Sequence, residues 1–433
     1  MKNTSNYKWW VVAMLWVVCF FNYADRQAFF AVFPALKEEF GFTAVQLGLL
    51  GSAFAWIYAA AAPFAGFIGD RVPRKHLILG GCLFWSVVTV ATGWCGKLWQ
   101  FVAVRAATGF GESFYFPAAM SLLSDYHGKK SRSMAFSLHQ SAVYIGSIGG
   151  SWLGAWLAEL HGWRVGFYIF GGIGILLALV LYRILKEPRR GAAESEVDTT
   201  TDTHGVIINS TLQPLGVGAT LRVIFSKPTA ILLMAVFLGA NFVATIFLAW
   251  TPMFLVEKFH FGMAAAGFSG TVYINLASAV SVPIGGFLAD RFASRFAGGR
   301  MLVQAIGLLV GAAFVGMVGL TNSVSTLLIA MTFFGLCKGL YDSNIFASLY
   351  DVIEPRARAT AAGIMNTVGW GGGALGPLAV GFATQYGRHG EDKVANMSEA
   401  IAFGSIVYIA GALLLFIVAF VTIKRDAVGA AAA

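Results

Sequence analysis

The sequence predicts an all-α, polytopic membrane protein of twelve transmembrane helices in two homologous six-helix halves. Three observations carry that expectation. Hydrophobic residues make up 58% of the 433 positions and charged residues only 12%, with a mean hydropathy of +0.72, far outside the soluble range. The apolar residues gather into twelve stretches of about 20 residues or more, each long enough to cross a bilayer core. A loop pattern near residue 70 also returns near residue 290, which marks an internal repeat.

The expected spans are 9–34, 44–69, 76–95, 98–124, 132–158, 163–185, 229–256, 264–289, 300–320, 324–350, 359–384 and 400–423. They divide the chain into a first half (1–186), a polar linker (187–228) and a second half (229–433). An even number of passes puts both termini on one side. Of the 30 Lys and Arg, 21 fall on that side, 6 on the other and 3 inside the membrane, which makes the first side cytoplasmic. The formal charge of +9 is therefore a topology signal and no nucleic-acid site is read from it. The cell inner (plasma) membrane is the expected location, and the chain is expected to be a monomer. The first span is too long for a signal-peptide core and reads as an uncleaved anchor. Cys19, Cys82, Cys95 and Cys337 all sit in apolar spans without Cys-x-x-Cys spacing, as small buried hydrophobes; no metal set is expected.

Span one carries Asn22-Tyr23-Ala24-Asp25-Arg26 at its middle. A charge at bilayer depth costs about 3 kcal/mol on insertion scales, so such residues face protein or water and mark a pathway. Adjacent residues on a helix point about 100° apart, so Asp25 and Arg26 need different partners. An ion pair that locks helix packing is the plainer alternative.

Span two ends Pro63-Phe-Ala-Gly66-Phe-Ile-Gly69-Asp70-Arg71-Val-Pro73-Arg74-Lys75. Pro63, Gly66, Phe67, Asp70 and Arg71 recur as Pro283, Gly286, Phe287, Asp290 and Arg291, at a constant offset of 220 (290 minus 70). Arg132 to Gln140 and Arg358 to Asn366 are also alike. The doubled loop and the six-plus-six plan resemble the major facilitator superfamily over essentially the whole chain. Pro73 and Ser294 depart from the loop pattern without removing its acids. Asp70, Arg71, Arg74, Asp290 and Arg291 are the expected gating residues, with Asp70 bracing the outward-open state.

Span four reads Arg105-Ala-Ala-Thr-Gly109-Phe-Gly111-Glu112-Ser113-Phe-Tyr-Phe-Pro117. Arg105 and Glu112 share a face but lie about 10.5 Å apart along the axis, so each needs a partner from another helix. Counted from the helix ends, Arg105 falls near the depth of Asp25 and Arg26. Asp25 is thus the expected partner of Arg105 before substrate arrives. A structural pairing of Glu112 with Arg26 is the alternative. These motifs, with Trp250-Thr-Pro252-Met-Phe254-Leu255 in span seven, are similar to the anion:cation symporter branch, which includes sugar-acid and hexuronate:proton symporters. The resemblance implies that Asp25 and Glu112 couple protons and that Arg26 and Arg105 serve the anionic substrate. The same four charges also resemble the spinster-like lipid and lysophospholipid transporters.

The linker changes to Gly, Ser, Thr, Asp, Glu and Arg and is expected to be partly disordered. Its Asn209-Ser-Thr211 sequon lies on the wrong side for use. In span ten Lys338 and Asp342 stand one turn apart and can pair with each other. A self-contained pair is the favoured reading, a substrate or gating role the other. Tyr23, Asn241 and Asn366 are candidate substrate contacts, and Gly369 to Gly376 makes span eleven thin enough to bend.

Asp25, Arg26, Arg105, Glu112, Lys338 and Asp342 sum to zero when ionised. Adding an anion leaves the core negative, and a proton on Asp25 or Glu112 restores balance. The expected function is alternating-access symport of a proton with a small organic anion, a sugar acid or other carboxylate. It needs no cofactor beyond the proton gradient, and lipids are the surrounding partner. No Ser/His/Asp or metal-ligand cluster suggests an enzyme.

Overall fold

The computed structural model describes residues 4–69, 71–128, 131–188, 221–222, 224–354 and 357–426, and among these there is no strand. The first half contains α1 (Thr4–Ala31), α2 (Phe33–Phe40), α3 (Ala44–Gly69), α4 (Arg74–Thr92), α5 (Leu98–Ser113), α6 (Tyr115–Tyr126), α7 (Arg132–His161) and α8 (Trp163–Ile184). The second contains α9 (Pro228–Phe259), α10 (Met263–Ala293), α11 (Gly299–Leu320), α12 (Val324–Asp342), α13 (Ile345–Tyr350), α14 (Arg358–Tyr386) and α15 (Lys393–Ile417). A π turn (Val418–Thr422) and α16 (Ile423–Asp426) close the described chain. Eight of the passes are long and apolar enough to cross a bilayer on length and composition alone. α1, α7, α14 and the α5–α6 pair are the others; they carry the charged, serine- and glycine-rich faces that turn inward.

Spans four and ten, expected as single helices, are each broken. The first break, at Phe114, has a covalent cause: Pro117 has no N–H to give the Ser113 carbonyl. The second falls at Ser343–Asn344, where the Asn344 amide donates to the Gly285 carbonyl at 3.1 Å. The first break comes two residues after Glu112 and the second directly after Asp342.

One pairing scheme is used twice. α1 packs on α7, α3 on α5 and α4 on α8; in the second half α9 packs on α14, α10 on α12 and α11 on α15. Contacts of α3 with α14 and of α7 with α10 join the halves. The position of α1 depends on glycines of α7. A Cβ on Gly146 would lie 2.6 Å from the Phe20 carbonyl, one on Gly154 2.7 Å from Ala28 Cβ, and one on Gly150 inside the backbone of Ala24. Such small-residue stripes are how helices approach closely where lipid offers no hydrophobic drive.

On the face remote from the termini the halves meet. Phe33 and Trp250 rings stand 6.1 Å apart, Lys37 pairs with Glu257 at 2.8 Å, and Glu159 accepts the Ala264 amide at 3.0 Å. The linker lies mostly outside the described residues, as do its sequon and Asp70. At its far end Ile224 is fully buried in the hydrophobic core and Lys227 donates to the Asp426 carbonyl at 2.9 Å. The four cysteines are buried and unpaired.

Candidate functional site

Asp25 and Arg26 leave α1 in different directions, as adjacent helical residues must. Arg26 forms a buried ion pair with Glu112 of α5; their side chains are 6% and 0% exposed. Its guanidinium carbon lies 4.7 Å from the ring of Tyr23, 4.5 Å from Phe54, 5.6 Å from Tyr58 and 5.2 Å from Trp370. Four aromatic faces thus offset part of the desolvation that one carboxylate leaves uncovered. Asp25 turns to α4, where the Thr89 hydroxyl is 3.2 Å from Oδ2 and also donates to the Trp85 carbonyl at 2.9 Å. One hydroxyl carries one proton. Asp25 Oδ1 is buried without a hydrogen-bond partner among the described residues.

Arg105 differs from expectation. It makes no ion pair with Asp25. Its Nε donates to the Leu50 carbonyl at 3.3 Å, Nη2 is buried without a partner, and the group lies 4.4 Å from Phe29 and 4.7 Å from Phe54. The Leu50 carbonyl and the rings of Phe29 and Phe54 take up the guanidinium instead, neighbours that spacing along one helix does not reveal. The Phe54 ring is shared by the two guanidinium groups, at 4.5 Å from Arg26 and 4.7 Å from Arg105.

Between the halves lies a cavity of about 210 Å³. α1 contributes Tyr23, Arg26 and Gln27, and α7 contributes Gln140, Tyr144 and Ser147. From the second half come Asn241 and Thr245 of α9, Asn275 of α10, Lys338 and Asp342 of α12, and Trp370 of α14. Asp25, Arg105 and Glu112 stand behind this wall, and Asn366 is half-buried one turn from Trp370 without lining it. The Asn241 and Asn275 amides donate to the preceding turn at 2.9 Å each, which leaves their oxygens for the cavity. Gln140, Tyr144 and Ser147 escaped the sequence reading, although their i, i+4, i+7 spacing is a polar stripe on an apolar helix. Thr245 has a structural task besides. Pro377 cannot donate to the Gly373 carbonyl, and the Thr245 hydroxyl takes that carbonyl at 2.6 Å.

The Lys338–Asp342 ion pair forms within α12, with side chains 23% and 33% exposed. The loop residues sit on the terminal face. Buried Arg74 pairs with Asp125 of α6 and with Glu187 at 2.8 Å. Arg71 and Arg291 are exposed. Asp290 is held by Arg300 at 2.7 Å, not by Arg291, and Arg300 also reaches Asp351 at 3.2 Å.

A twice-used helix scheme enclosing a buried, charged cavity between its halves defines a polytopic membrane transporter. The family model for the Major Facilitator Superfamily matches residues 15–377 and 271–432. The chain belongs to that superfamily, and it is a transporter and not an enzyme. It is 28% identical over 417 residues to a D-galactonate transporter of Escherichia coli O6:H1, covering 92% of this chain and 94% of that one. It is 30% identical over 251 residues to human protein spinster homolog 1, covering 57% of this chain and 46% of that protein. A bacterial homolog of the human lysosomal transporter Spinster, solved in an inward-facing and unoccupied conformation, superposes with a TM-score of 0.82 at 22% identity over 98% of each chain.

Proposed function

We propose that the protein couples protons to the movement of a small organic anion, a sugar acid or other carboxylate, by alternating access. The cavity carries this reading. It places Arg26 and Lys338 among amides and hydroxyls that suit a hydroxylated acid. The likeness to a D-galactonate transporter supports the same class.

Arg26 is the first-half anchor, because it lines the cavity and Arg105 does not. An incoming carboxylate competes with Glu112 for Arg26, and the displaced Glu112 takes a proton, since a buried free carboxylate is costly. Asp25 is the second proton carrier. Its lack of a cationic partner and the single Thr89 proton, already given to Trp85, both suit a carboxylic acid that donates to Thr89. Arg105, stacked on Phe29 and Phe54, holds the local field positive behind the cavity and is not itself the ligand.

The excess of Lys and Arg on the terminal face makes it cytoplasmic, in the cell inner membrane. The conformation, held at Lys37–Glu257 and Phe33–Trp250, is then closed on the side away from the cytoplasm. The halves at 1–186 and 229–433 rock about the cavity, driven by the proton gradient without a cofactor. The Arg74–Asp125–Glu187 cluster braces the first half at the cytoplasmic end, with Asp70 and Arg71 beside it in sequence.

A spinster-like lipid transporter is the second reading, on the likeness in sequence and fold. Counterflow in proteoliposomes separates the two. D-galactonate or another hexonate is expected to exchange and lysophosphatidylcholine is not; the reverse result overturns the anion reading.

A further inference from the structure

Resting on the anion reading above, we propose that Lys338 and Asp342 form a second anion-recognition point, and that the cavity selects hydroxylated dicarboxylates over monocarboxylates. The two charged pairs of the site differ in kind. Arg26–Glu112 ties α1 to α5, and its side chains are nearly sealed at 6% and 0% exposure. Lys338–Asp342 ties no helices together, because both residues belong to α12, and its side chains stay 23% and 33% open. A pair one turn apart on one helix contributes only about 0.2–0.5 kcal/mol to that helix, so packing does not account for two charges at this depth.

Their place does. Both residues line the cavity that Arg26 lines from the other half. Each wall therefore presents a cation already satisfied by a carboxylate of the protein. A substrate with one carboxylate replaces one of these internal acids; a substrate with two replaces both, one at each wall. The hydroxyl and amide groups of Tyr144, Gln140 and Asn241 lie along the same cavity and suit hydroxyls between the two ends. The break at Ser343 directly after Asp342 lets that carboxylate turn aside without unwinding α12.

The test is equilibrium binding to the purified full chain with galactarate (two carboxylates), D-galactonate (one) and galactitol (none). Wild type is expected to bind galactarate about tenfold or more tighter than galactonate, the worth of one further charge-assisted contact. Lys338→Ala is expected to erase that preference, and Lys338→Arg to keep most of it. Asp342→Asn removes the competing carboxylate and is expected to tighten galactarate binding; it also tests the idea should Lys338→Ala fail to fold. If Lys338→Ala retains the wild-type preference, or Asp342→Asn weakens galactarate binding, the second recognition point is overturned while the anion reading stands. If wild type binds neither acid, both fall together.

Discussion

Arg26 of α1 and Glu112 of α5 form an ion pair in which neither side chain is more than 6% exposed. Removing one member strands the other. Glu112→Gln is expected to lower stability by about 3 kcal/mol or more, whereas Arg26→Met with Glu112→Leu recovers much of the loss because no charge stays buried. Thermal unfolding of the single and double variants measures this. Neither should accumulate substrate against a gradient, though Glu112→Gln should still exchange it across the membrane.

Asp25 has Thr89 for a partner and no cation. Asp25→Asn, a neutral isostere, is therefore expected to change stability by less than about 1 kcal/mol. The same variant should lose proton-driven accumulation. Comparing unfolding temperature with uptake under an imposed pH gradient checks the split. A large loss of stability would mean that Asp25 is held as an anion.

The Phe54 ring contacts both Arg26 and Arg105, at 4.5 and 4.7 Å. Phe54→Leu keeps much of the volume but removes a ring face from two cations. The expected cost is about 1–2 kcal/mol for each face when desolvated. Phe54→Tyr should keep most of the stability. A loss no greater than that of an ordinary buried Phe→Leu change, in the same denaturation assay, would count against the stacking.

Lys37 and Glu257 join the halves on the distal face, with side chains 42% and 26% exposed. An exposed pair is worth less than about 1 kcal/mol, but a reversal turns attraction into repulsion. Lys37→Glu should shift the population toward the outward-open form, and Glu257→Lys in the same chain should reverse the shift. Spin-label distances across that face report it.

Glu39 accepts hydrogen bonds from Arg164 and Trp163, and the Arg164 contact draws its carboxyl below the ordinary value of 4.5. A depressed carboxyl stabilises the fold above its unfolded value and loses that contribution as pH falls through the folded value. The anchoring of α2 to α8 should therefore weaken only in acid below about pH 4.5. Glu39→Gln should flatten that part of the stability–pH curve.

The repeat was legible from residues 63–71 and 283–291 because a loop signature is local in sequence. The different headings of Asp25 and Arg26 followed from helix geometry alone. The surroundings of Arg105 did not, because spacing along one helix does not say that a backbone carbonyl and two rings of neighbouring helices face it. Gln140 and Ser147 went unread for another reason: a polar residue in an apolar span looks the same whether it faces a helix or a cavity until the facing helix is known. The breaks after Glu112 and Asp342 were partly legible, since Pro117 announces the first and nothing as strong announces the second.

The Gly373 carbonyl, orphaned by Pro377 and taken up by Thr245, stitches α14 to α9 at a point where both border the cavity. Trp370 rides on α14 and covers one side of Arg26, while Asn241 rides on α9 one turn from the stitch. The hydrogen bond thus links the turn of α14 after Trp370 to the turn of α9 after Asn241. The cavity wall at Asn241 and the aromatic shelter of Arg26 therefore share one hydrogen bond.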